Sequence, residues 1–161
     1  MVSGSFSKET PLSVPIDRLW KARILDAHNL LPKIFPAFIS SVEIIEGDGG
    51  IGTVGKVNLT EVVGGYDFVK SKIEELDNEK HIVKESVVEG GLIGTKLNSY
   101  TLEHRFEEGG EGKTVERLTV EYESLDETPL SPEEQSQIAG RLSGVTKAVE
   151  GYLLANPTAY V

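Results

Sequence analysis

The chain contains no cysteine. That absence excludes disulfides, thiolate metal sites and a thiol nucleophile, and it fits a reducing compartment, so a cytoplasmic location is expected. No apolar run approaches the ~18 residues needed to cross a bilayer, and no membrane span is expected. The start, Met1 to Thr10, lacks the apolar stretch of a secretory leader. Basic residues are scarce, with 16 Lys and Arg against 26 Asp and Glu and a net charge of −10. This balance opposes long-range attraction of polyphosphate, so no nucleic-acid partner is expected. His28, His81 and His104 have no metal-ligand spacing, and no serine stands in a visible His/Asp constellation. No metal, no cofactor and no hydrolase triad are therefore expected, and with no partner motif the chain reads as a monomer. The acidic pairs Glu74-Glu75, Glu107-Glu108 and Asp126-Glu127 fall near strand ends and loops, where a solvated face accounts for them.

What the chain does have is glycine, concentrated in Glu46-Gly47-Asp48-Gly49-Gly50-Ile51-Gly52-Thr53. Gly47, Gly49 and Gly52 satisfy G-x-G-x-x-G, but a dinucleotide site needs a helix to begin at the last glycine so that its N-terminus faces the pyrophosphate. Here Val54, Val57 and Leu59 follow in a β-branched alternating run, and Val42, Ile44 and Ile45 precede. Both flanks read as strands, so the glycines turn a hairpin. The ATP-type loop fails as well, because Thr53 stands where the phosphate-holding lysine belongs.

The rest of the chain, 161 residues in all, reads as one domain with enough length for a hydrophobic core. A strand is expected near Ser3 to Thr10. Pro15 opens a helix through about Asp26, and a second short helix covers about Asn29 to Phe35 before Pro36. Alternating runs at Tyr66 to Leu76, Lys80 to Val88, Thr95 to Phe106 and Thr114 to Leu125 follow the glycine hairpin as an antiparallel meander. Ser131-Pro132-Glu133-Glu134 is a capping box, and the helix it starts can run to about Asn156, some 25 residues and roughly 37 Å.

Several pieces of the sequence resemble, from end to end, the birch major pollen allergen family, the plant class-10 pathogenesis-related proteins. They are Leu25-Asp26 with Asn29-Leu30 and Pro32-Lys33, Ser40-Ser41-Val42-Glu43, the glycine loop, Glu89-Gly90-Gly91 with Ile93-Gly94, and Ala148-Val149-Glu150 with Tyr152 to Ala155. The closing Ala155 to Val161 is similar to monocot members. The resemblance implies an α+β helix-grip fold, in which a seven-stranded curved antiparallel sheet, two short helices and a long C-terminal helix surround a cavity. It also implies intracellular binding of hydrophobic or amphiphilic plant metabolites such as phytohormones, flavonoids or sterol-like compounds, linked to defence. Other activities in the family leave alternatives open: a small-molecule synthase or isomerase, a hormone receptor that regulates a protein phosphatase as in abscisic acid signalling, or a ribonuclease. The ribonuclease pattern is incomplete. Glu150 and Tyr152 match it, but Gly55 and Asn98 occupy the places of its lysine and first glutamate. Glu150 is expected instead to accept hydrogen bonds from glycine-loop amides. A receptor would need gate loops, for which Gly90-Gly91-Leu92 and the Thr60 to Gly65 turn are candidates.

A cavity also follows from the residues themselves, because one helix stripe cannot fill the concave face of a curved sheet. That stripe is Ile138, Leu142, Val145, Val149 and Tyr152, thinned by Ala139, Gly140 and Gly144. Strand parity then assigns the lining. Tyr100, Leu102 and Phe106 share a face with His104, and Val83 and Val87 bracket Glu85. Arg23 sits on the face of Ile16, Leu19, Trp20 and Ala27, while Arg141 borders Leu142. Leu31, Phe38 and Ile39 complete the apolar wall. The four polar positions Arg23, Glu85, His104 and Arg141 fall where the resemblance implies apolar or tyrosyl residues. Arg23, Glu85 and Arg141 are expected to pair with one another or to be solvated in a wet pocket, with Arg23 or Arg141 anchoring a carboxylate or phenolate. Glu85 and His104 would supply acid and base to a synthase. Each also has a plainer reading, since arginine stems cover apolar surface and a lone histidine is usually a satisfied structural group. No catalytic residue is assigned.

Overall fold

In the computed structural model, which describes residues 1–161, seven alternating runs form strands. They are β1 (Ser3–Leu12), β2 (Ile39–Glu46), β3 (Val54–Leu59), β4 (Phe68–Asp77), β5 (Ile82–Gly90), β6 (Leu97–Glu108) and β7 (Thr114–Ser124). All pair antiparallel in one open sheet of order β1-β7-β6-β5-β4-β3-β2. Register shifts at Ile39/Ser41, Ile44/Glu46, Lys70/Ser71, Ile73/Glu75 and Leu97/Ser99 mark bulges, which bend strands and tighten their twist.

The glycine stretch is the β2–β3 hairpin. Gly47, Gly49 and Gly52 have φ of 94°, 100° and 90°, backbone conformations that glycine adopts without strain. Its amides are used inside the protein: Gly49 N–H donates to Thr53 Oγ1 (2.9 Å), Gly50 N–H to Asp48 Oδ1 (3.0 Å) and Gly52 N–H to the Ile73 carbonyl (2.8 Å). They form no open cradle for phosphate.

The expected first helix is interrupted. α1 (Ile16–Trp20) gives way to a π-helical turn at Lys21–Leu25, where Asp26 N–H reaches the Lys21 carbonyl five residues back (2.9 Å), and α2 (Ala27–Ile34) follows. The widened turn lets Ala22 and Arg23 join Leu19 and Trp20 on the buried side. α3 (Pro132–Ala155) opens on the capping box, with Glu134 N–H donating to Ser131 Oγ (3.1 Å) and Ser131 N–H to Glu134 Oε1 (3.0 Å). At its other end the Arg18 guanidinium donates to the carbonyls of Leu153, Asn156 and Ala159 (2.9–3.1 Å), meeting the helix dipole with a positive charge.

The two halves of the sheet differ in packing. On β7 every second residue from Thr114 to Ser124 is buried, whereas no residue of β3 is. The tightly packed face of α3 is not the expected apolar stripe. It comprises Ala139, Ser143, Thr146, Val149, Glu150 and Leu153, while Ile138, Leu142, Val145 and Tyr152 are only half-buried. Small and polar side chains allow close approach on one side, and the bulkier apolar ones of the middle of the helix turn toward the loosely filled half.

Candidate functional site

Between that half of the sheet, α2 and α3 lies a cavity of about 910 Å³ lined by 34 residues, 21 of them hydrophobic. The volume and largely apolar lining suit a small organic molecule. Leu31 and Ile39 form one wall and Val57, Val83 and Leu102 the sheet floor, while Leu142 and Val145 with Gly140 and Gly144 form the α3 side. Neither glycine has any atom within 4 Å of where a Cβ would stand, so neither serves close packing. Phe38 (46 % exposed) and Val62 (71 % exposed) lie at the rim, together with Asp48 and Gly49 of the hairpin. Gly47, Gly50 and Gly52 lie outside the lining.

Arg23, Leu31, Phe38, Ile39, Val83, Glu85, Leu102, His104, Arg141, Leu142 and Val145 all line this space. Tyr100 and Ile138 do not. Both pack in a second core cluster around Leu97, Leu118, Val120 and Tyr122, and the Tyr100 hydroxyl accepts the Leu92 N–H (3.2 Å). Burial pushes that hydroxyl up from its ordinary value, opposed by the Leu92 bond, so Tyr100 is a neutral structural group. The same bond ties the Gly90 to Leu92 turn to the core, so of the two gate candidates only the Thr60 to Gly65 turn, through Val62 and Val63, reaches the cavity. Parity identifies the inner face of β6 but not the point along it where filling replaces space.

Of the two expectations for Arg23, Glu85 and Arg141, pairing with one another or solvation in the pocket, the structure does not form the first. Arg141 is exposed and donates to the Tyr66 hydroxyl (3.3 Å), and the Glu85 side chain makes no hydrogen bond or ion pair. Arg23 and His104 instead converge on Glu116, which strand reading overlooked. Glu116 Oε2 lies 3.0 Å from His104 Nδ1 and 3.0 Å from Thr146 Oγ1, which in turn is 3.2 Å from Arg23 Nε. All four side chains are buried. Burial alone would raise the Glu116 carboxyl, but His104, with help from Arg23 and Thr146, outweighs it and holds the group below its ordinary value. The signal for Glu116 was present, since it shares parity with Leu118, Val120 and Tyr122.

Glu150 also departs from expectation. It accepts the Ser13 N–H (2.5 Å) and pairs with Lys147 (2.8 Å), so it pins the β1–α1 turn rather than the glycine loop. Burial opposes, but these contacts hold its carboxyl below the ordinary range. Tyr152 receives a hydrogen bond from Lys33 (3.2 Å) on the outside of the molecule. No four-residue ribonuclease constellation forms around them.

Comparison with known proteins agrees with the fold. A family model described as the pathogenesis-related protein Bet v 1 family matches residues 1–156. Pathogenesis-related protein 1 of the monocot Asparagus officinalis is 37% identical over 161 residues, covering 100% of both chains. The crystal structure of Ara h 8.0201 superposes with a TM-score of 0.84 at 30% identity, covering 96% of this chain and 100% of that one. Norcoclaurine synthase from Thalictrum flavum, solved in complex with dopamine and hydroxybenzaldehyde, shares the fold at 23% identity, with a TM-score of 0.74 over 96% of this chain and 88% of that one.

Proposed function

The chain belongs to the Bet v 1 family of pathogenesis-related proteins, and from that premise we propose that it is a cytoplasmic carrier of a hydrophobic or amphiphilic plant metabolite. Phytohormones, flavonoids and sterol-like compounds are the ligand classes, and a role in the defence response follows the name of the asparagus relative. The observation that carries this reading is the cavity of about 910 Å³, with 21 hydrophobic residues among the 34 that line it. Arg23 and Arg141 supply positive charge to it, Arg23 from the buried end and Arg141 from the exposed α3 face.

The test is displacement of anilinonaphthalene sulfonate by a panel of neutral and acidic plant metabolites, with each ligand followed by mass spectrometry. Carriage predicts saturable displacement with recovery of unchanged ligand; a failure of the probe to bind at all contradicts it. A second reading, a synthase or isomerase, is favoured by one feature: His104, held by Glu116, faces the same cavity as Glu85, a base and an acid within one enclosure. Product in the same mass-spectrometric experiment would select it.

A further inference from the structure

The polar end of the cavity holds two hydrogen-bonding groups whose roles are fixed by what they already touch. An ionised carboxylate can only accept, so at Glu116 Oε2 the Thr146 hydroxyl is a donor (3.0 Å) and His104 donates from Nδ1 (3.0 Å). With Nδ1 committed to Glu116, His104 has Nε2 left for a ligand. The Thr146 hydroxyl, having given its proton to Glu116, accepts from Arg23 Nε (3.2 Å). Nothing in the protein takes a hydrogen bond from the two terminal guanidinium nitrogens of Arg23, and nothing bonds His104 Nε2, yet both side chains line the cavity. Both are more than nine-tenths buried, at 8% and 3% exposure. No side-chain nitrogen sealed from solvent lacks a partner, so the open fork of Arg23 and His104 Nε2 face the space of the cavity, where the oxygens of a ligand can take their hydrogen bonds.

Charge then constrains what can enter. Glu116 offsets Arg23, so the guanidinium offers a forked donor more than a large net charge, and one carboxylate matches its two open nitrogens side by side. The other charged and titratable groups around this space are Glu85 on β5, which opposes a second negative charge, and Arg141 with the Tyr66 hydroxyl on the α3 side. Glu43, Asp48 and His28 lie at the exposed rim. A dianionic phosphate is disfavoured by Glu85 and by the single open guanidinium.

We infer that Arg23 and His104 form a head-group subsite for a carboxylic acid, with the open guanidinium fork of Arg23 holding the carboxylate and His104 beside it in the same cavity. The inference rests on the carriage reading, and it specifies the ligand class: an amphiphile with an apolar body and one terminal carboxylate.

The test uses the unmodified full chain, with 2-naphthoic acid and the neutral 2-naphthylmethanol as probes. Calorimetric titration at about pH 7 gives the affinity of each compound. The subsite predicts that the acid binds at least about tenfold more tightly than the alcohol. Arg23→Met should weaken the acid about 10- to 100-fold while leaving the alcohol within about threefold. His104→Leu should weaken the acid by a smaller factor, about 3- to 10-fold, again sparing the alcohol. Should either variant fail to fold, the difference between acid and alcohol in the unmodified chain still decides. Equal affinity for acid and alcohol in the unmodified chain, or equal losses for both in Arg23→Met, overturns the subsite and leaves carriage standing. If neither compound binds and the fluorescent probe does not bind either, the carriage reading falls and the subsite with it.

Discussion

Glu116 is the residue on which the buried polar groups depend. Without its charge, Arg23 would be a buried cation with no anion near it and His104 would lose the partner of Nδ1. Glu116→Gln should therefore destabilise the fold by ~3 kcal/mol, measured as a lower urea midpoint at pH 7. The sign of its pH dependence follows from the direction of the shift. The folded carboxyl titrates below its ordinary value near 4.5, so its contribution is fully present above that value and is lost as pH falls through the lower folded one. The difference in stability between the unmodified chain and Glu116→Gln should shrink between neutral pH and the region below about 4.5. A constant difference across that range would assign the loss to packing instead. At this scale the sequence was partly legible. Arg23 and His104 could be placed inward because apolar neighbours of the same parity mark the inside, and Glu116 was legible by the same rule. Tyr100 was misplaced because parity gives a face, and only packing from Leu92 and Leu97 decides that its face is filled there.

α3 carries its information in an unexpected order. Its boundaries were readable from the capping box and Pro157, because local hydrogen bonds and proline chemistry set them. Its orientation was not, because a hydrophobic stripe normally marks the packed face, whereas here Ala139, Ser143 and Thr146 pack and Leu142 and Val145 border a cavity. The π-helical turn at Lys21–Leu25 was likewise invisible, since no local pattern distinguishes a five-residue turn from a four-residue one, and burial of Ala22 and Arg23 selects it. Gly144 has helical backbone and open space where a Cβ would go. Gly144→Ala should raise stability by about 1 kcal/mol, read as a higher thermal midpoint. Arg18→Ala, which removes the clamp on the last turn of α3, should lower stability by about 2 kcal/mol and expose the amides near the C-terminus to hydrogen exchange.

The molecule as a whole separates a packed half, built on β1, β7 and β6, from an open half in which β2 to β5 bend around space. This division reconciles an ordinary hydrophobic core with a large cavity: stability comes from one side and room for a ligand from the other. The antiparallel meander and the glycine hairpin were legible because turns and alternation are local signals, whereas the pairing of β1 with β7 joins residues more than 100 positions apart and no local pattern announces it. The extent of the cavity was not, because it depends on the small and polar face of α3, rather than its bulky apolar one, meeting the sheet. The most direct measurement is an amide NMR titration with an amphiphilic ligand. The account predicts saturable one-to-one shifts in Ile24, Leu31, Val57, Val83, Leu102 and Val145, which line the cavity, with loss of those shifts in the cavity-filling variant Val145→Trp. Shifts confined instead to the outer cleft of about 440 Å³ between Ile16, His81 and Arg105, unchanged in that variant, would contradict it.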